Sequence, residues 1–157
     1  MNTPRPTAVT NPGVDTRQRL LLTALHLYAK EGLHAVSLRR ISAVAGSKNS
    51  AAMHYHFNDK RGVVRALVEM IVAELNAIST RIPARQSAHA TLREACLNTL
   101  RPLARLPVEA PWGADAVRFM SRVLTEFSPQ EATEFNRAYE PFWQQVDTTL
   151  AHLLPDL

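Results

Sequence analysis

Apolar residues recur at three- and four-residue spacing along most of the chain and nowhere alternate with a period of two. That periodicity lays one face of successive helices against a core and gives no strand or hairpin signal. From Thr16, a plausible N-cap, the residues Leu20, Leu21, Ala24, Leu25, Leu27 and Tyr28 form a broad apolar face. Gly32 stands where such a helix commonly stops. Ser37 reads as the cap of a short second helix through Leu38, Ile41, Val44 and Ala45, closed by Gly46. A polar run from Ser47 to Ser50 leads to a third helix over Ala51 to Phe57, broken by Asn58-Asp59. A long fourth helix is expected from Lys60 to Arg81, with Val63, Val64, Leu67, Val68, Ile71, Leu75 and Ile78 on its apolar side.

Past Pro83, prolines punctuate the helical pattern. Ala88 to Arg105 should form one helix, with Pro107 and Pro111 in the connection after it. Trp112 to Phe127 should form another, with Val117, Met120, Val123, Leu124 and Phe127 on one side. The last, Pro129 to Leu154, repeats Ala132, Phe135, Tyr139, Phe142, Val146, Leu150 and Leu153, and Pro141 should kink it. The fold class is therefore all-α. Residues 1–15 are Pro/Thr/Asn-rich and read as a disordered arm, residues 16–60 as a compact three-helix unit, and residues 61–157 as a helical remainder.

Charge divides the chain in the same place. Residues 1–66 hold ten Lys/Arg against Asp15, Glu31 and Asp59, a balance of +7, while residues 67–157 hold eight Arg against eleven acids, a balance of −3. A basic module joined to a mildly acidic one suits a polyanion-binding unit attached to something else. With 46% apolar residues in 157, a real core is available to one domain, or to two small helical domains sharing it. No run approaches the roughly 18 apolar residues of a membrane span, and the start of the chain does not resemble a secretory signal. Cys96 is the only cysteine, which excludes an internal disulfide and a cysteine-based zinc site and suits a reducing cytoplasm.

Three helices of these lengths, with a tight turn at Gly46, have the proportions of a helix-turn-helix. The second helix would lie across the phosphate backbone and the third would enter the major groove, where its side chains must hydrogen-bond base edges. The third helix and the turn before it offer Lys48, Asn49, Ser50, His54, Tyr55 and His56 for that task. Ser37, Arg39, Arg40 and Lys60 are placed to anchor phosphates.

At these residues the sequence resembles the TetR family. The run from Arg17 through Leu25-His-Leu-Tyr28 to Gly32 is similar to that family's first helix. Ser37-Leu-Arg-Arg-Ile41-Ser-Ala-Val-Ala45-Gly46 is similar to its second, and Tyr55-His56-Phe57-Asn-Asp-Lys60 to the signature that closes the third and opens the fourth. The resemblance implies a helix-turn-helix DNA-binding domain followed by a shortened helical ligand-binding and dimerisation domain. It implies that Ser37 and Arg39 touch phosphates, that Ser50, Ala51, His54 and Tyr55 face the groove, that Tyr55 or His56 reaches the backbone, and that Lys60 grips a phosphate. The segment from Gly46 to Phe57 is one residue longer than the family's commonest turn, which blurs which side chains face bases.

Plainer readings stand beside these. Ser37 caps a helix whether or not DNA is present. His54 and His56 are two apart and point to different faces, against a shared metal. Cys96 reads as apolar filler. The aromatic set Trp112, Phe119, Tyr139, Phe142 and Trp143, with Met120, serves either as core or as the lining of a pocket for a small apolar effector. No nucleophile elbow, phosphate loop or paired acids argue for an enzyme, and no cofactor is implied. The expected function is a sequence-specific regulator, a repressor relieved by an effector; the alternative is a DNA-binding adaptor without a ligand site. The expected partners are a palindromic double-stranded operator and a second copy of the chain, met through Phe135, Tyr139, Phe142 and Val146, since the helix pair that usually dimerises in the family has no counterpart here.

Overall fold

The computed structural model describes residues 12–47, 51–82 and 92–127, together with Glu140 and Gln144. Six helices occupy these segments: α1 (Pro12–Glu31), α2 (Leu38–Val44), α3 (Ala51–Phe57), α4 (Lys60–Arg81), α5 (Leu92–Glu109) and α6 (Gly113–Glu126). No strand occurs among the described residues. Of the expected last helix only Glu140 and Gln144 are described, both helical; the rest of it, with Pro141 and the expected dimer contacts, lies outside the described residues.

The first four helices follow the apolar periodicity, except that Val44, expected on the inner face of α2, is exposed at the end of that short helix. Every residue expected on the inner faces of α1 and α4 is buried. Gly32 takes φ +96 and receives the end of α1, its N–H donating to the Tyr28 carbonyl at 3.0 Å. Gly46 takes φ +67 after α2. There Ser47 N–H donates to Ser42 O at 2.9 Å and Gly46 N–H to Ala43 O at 3.2 Å, the paired bonds of a Schellman close. Both glycines sit where a β-carbon is disfavoured.

Three expectations need correction. α1 begins at Pro12 rather than Thr16, since proline in the first turn loses no needed donor and its φ is already helical. α5 runs on through Pro102 and Pro107 to Glu109 instead of ending at Arg105. Proline is costly inside a helix, but here Leu106 and Ala110 are buried beyond the expected end, and tertiary packing outweighs the lost donor. The inner face of α6 is rotated: Gly113, Ala116, Phe119 and Val123 are buried, whereas Val117 and Leu124 are exposed at 40% and 73%. Both stripes satisfy helical spacing, and the small residues Gly113 and Ala116 select the one that lets neighbouring helices approach.

One core joins the elements. α1 packs principally on α6, while α5 lies against both α4 and α6. Tyr28 of α1 and Phe119 of α6 are fully buried, with ring centroids 6.2 Å apart and planes at 25°. Leu20, Leu25, Leu67, Ile71 and Leu106 are equally dry, each worth about 1.5–3 kcal/mol of burial. The exposed side of the α4–α5 contact carries Arg81, which bonds Glu74 at 3.2 Å and Glu109 at 2.9 Å. The short helices α2 and α3 are thus held against a rigid body formed by α1 and α4.

Candidate nucleic-acid interface

α3 has two faces with different chemistry. Met53 and Phe57, four residues apart, are buried at 0% and 5% and pin the helix to the core. Ala51, His54, Tyr55 and Asn58 share the opposite, exposed side. Tyr55 stands out most, with 86% of its surface exposed. A large amphipathic ring held away from a core that could accept it is an unusual placement, and it suits a contact surface. His56 is half-buried between the two faces, 5.0 Å from the Tyr55 ring edge-on and 6.1 Å from Phe57.

The end of α3 is rigid. Asn58 adopts φ +66, its N–H donates to the His54 carbonyl at 2.9 Å, and Nδ1 of His54 meets the Asn58 carbonyl at 2.7 Å. Asp59 then caps α4, its carboxylate accepting the Gly62 N–H at 2.8 Å. This corner sets the angle at which α3 leaves the body of the protein.

Cations surround the outward face, and the structure separates them by what else they do. Ser37 caps α2, its hydroxyl oxygen accepting the Arg40 N–H at 3.2 Å, which leaves its own O–H to donate. Arg39 is exposed. Arg40 is committed to an ion pair, 2.8 Å from Glu31 at the end of α1, so it ties α2 to α1. Lys60 lies over the Tyr28 ring, its Nζ 5.9 Å from the centroid. Arg17, which in a linear reading only opens the first-helix motif, places its guanidinium 5.2 Å from the centroid of Phe57, beside the end of α3. Its sequence signal is a position three residues before Leu20. Lys48, Asn49 and Ser50 lie outside the described residues.

Of the six aromatic and methionine residues expected around an effector, Phe119 is in the core, and Trp112 and Met120 are half-buried beside it. Tyr139, Phe142 and Trp143 lie outside the described residues. Among the described residues, no three His, Cys, Asp or Glu side chains are grouped as a metal site, and no helix is long and apolar enough to cross a membrane.

Comparison with known proteins agrees with this geometry. Residues 20–67 match the family of bacterial regulatory proteins of the tetR type, a span that takes in α2, α3 and the turn between them. A solved structure described as a transcriptional regulator from Saccharomonospora viridis in complex with choline is similar over 89% of this chain and 70% of its own. The TM-score is 0.55 and the sequence identity 26%. No curated protein sequence matches the chain significantly. Residues 20–67 thus carry a helix-turn-helix domain of the tetR type, in a chain whose fold is similar to that of a transcriptional regulator.

Proposed function

We propose that the protein is a cytoplasmic repressor that binds a palindromic operator as a homodimer and is released by a small effector held in its helical remainder. The observation that carries the DNA-binding part is the outward face of α3. Ala51, His54 and Tyr55 are exposed on a helix whose other face is locked into the core. Ser37, Arg39, Arg17 and Lys60 supply donors and charge around it. A single helix-turn-helix meets one half-site and binds weakly, whereas two held about one DNA turn apart read both halves at once.

The effector would lie among Trp112, Met120, Tyr139, Phe142 and Trp143, with Phe119 behind them. The similar regulator holds choline, and aromatic surroundings suit a quaternary ammonium group. Choline is therefore the first compound to test. Movement at Phe119 would reach α1 directly, because its ring lies against Tyr28.

The test is fluorescence anisotropy on duplexes from the promoter of the adjacent gene, with salt and choline titrated, and sedimentation of the same samples. The parent should select one palindrome as a dimer and lose affinity steeply with salt. Tyr55→Ala should fold normally, since exposed substitutions change stability by about 0.5 kcal/mol or less, and should bind that palindrome at least about tenfold more weakly. Equal affinity of parent and variant for every duplex would overturn the reading. Tight palindrome binding by a 17.5 kDa species would overturn the dimer.

A further inference from the structure

His54 carries more information than its place on the outward face of α3. Its Nδ1 lies 2.7 Å from the main-chain oxygen of Asn58, and a carbonyl oxygen can only accept. The imidazole must therefore bring its proton to Nδ1, which leaves Nε2 of the neutral ring as a bare acceptor. The arrangement is built into the backbone. Asn58 takes the left-handed φ of +66 while its N–H donates to the carbonyl of His54 itself at 2.9 Å, so the two residues are joined by backbone and by side chain. The ring edge that carries Nε2 is the one turned away from that carbonyl, on an exposed side chain.

Resting on the DNA-binding reading, we propose that His54 determines specificity by accepting a hydrogen bond, through Nε2, from an exocyclic amino group in the major groove. The groups of that chemistry are N4 of cytosine and N6 of adenine. Each base pair presents one such amino group, on its cytosine or its adenine, while guanine and thymine present only acceptors, so the contact reads which strand carries the donor. Arg39 and Arg17 have the opposite chemistry and belong with phosphate or guanine.

Selection of the full-length protein from a randomised duplex library tests this. In His54→Ala one half-site base pair should relax, with the other positions kept. His54→Arg, which supplies only donors, should favour at that same position the pair that places guanine on the contacted strand in place of the amino-bearing base. Replacing the selected base by its analogue without the amino group, 2-pyrimidinone or purine, should weaken the parent about three- to tenfold, as expected for one hydrogen bond. It should leave His54→Ala unaffected. The proposal fails if no position relaxes in His54→Ala, if removing the amino group of the relaxed pair leaves the parent's affinity unchanged, or if the analogue weakens parent and variant alike. If the parent selects no sequence at all, the DNA-binding reading fails and takes the proposal with it.

Discussion

The main-chain N–H of Leu33 donates to the carboxylate of Glu126 at 2.7 Å, across 93 residues of sequence. The bond belongs to a cap that α6 places on the end of α1. The Arg122 guanidinium donates to the carbonyls of Ala29 and Lys30 at 3.1 and 3.2 Å, and it holds Glu126 at 2.8 Å. A helix leaves its last carbonyls without partners, and a cation there also meets the negative end of the helix dipole. Here both needs are met by side chains from a distant element. The DNA-binding helices and α6 therefore share a polar joint as well as the Tyr28–Phe119 contact.

That joint should depend on pH. Burial alone would raise the Glu126 carboxyl, but the bonds from Arg122 and the Leu33 N–H outweigh it and hold the group below the usual carboxylate range. A carboxylate lowered in the folded state contributes stability that is present above its unfolded pKa and lost as pH falls through the folded one. Glu126→Gln should lower stability at neutral pH by about 1–2 kcal/mol, as expected for a lost charged hydrogen bond. It should also flatten the fall in Tm on acidification below about pH 4. Calorimetry of both proteins between pH 3 and pH 7 checks this; parallel curves would assign the acid sensitivity elsewhere.

The same cap fixes the penalty for filling Gly32. An alanine at φ +96 would be strained, and its β-carbon would lie 3.0 Å from Oε1 of Glu126 and 3.2 Å from Arg122. At Gly46, φ is +67 and a β-carbon would meet nothing within 4 Å. Gly46→Ala should therefore cost about 1 kcal/mol, the backbone part alone. Gly32→Ala should cost clearly more. Urea unfolding of the pair decides it, and equal costs would mean that the joint yields without loss.

Lys60 and Tyr28 should separate stability from DNA binding. The Tyr28 hydroxyl is buried and meets no hydrogen-bond partner among the described residues, and burial pushes its pKa up, so it stays neutral. Tyr28→Phe removes an unsatisfied polar group and should leave stability unchanged or raise it by up to about 1 kcal/mol, with DNA affinity kept. Lys60→Ala should lower stability by about 0.5–1 kcal/mol through the lost contact with the ring, and reduce the salt slope of DNA binding by about one unit. Thermal melts and salt titrations on the four proteins, singles and double, measure both. A destabilised Tyr28→Phe would show that the hydroxyl has a partner after all.

The amino-acid sequence by itself determined helices α2 to α4, the glycines that close α1 and α2, the inner faces of α1 and α4, and the tetR-type helix-turn-helix of residues 20–67. These depend on short-range physics: spacing of apolar residues, a cap at Ser37, left-handed positions at Gly32 and Gly46, and a local motif from Tyr55 to Lys60. Only the tertiary structure decided what each charged side chain is for. Arg40 and Lys60 look alike beside Arg39 in a linear reading, yet one is held by Glu31 and another lies over Tyr28, because α1 passes next to both. Arg17 joins the end of α3 for the same reason. The inner stripe of α6 and the run of α5 past Pro107 were settled by which neighbours could be approached closely, a quantity that helical period does not contain. The donor and acceptor assignment of His54 likewise came from a carbonyl brought within 2.7 Å by the turn at Asn58. Periodicity says which residues share a face, while a long-range contact says which of their atoms remain available to a partner.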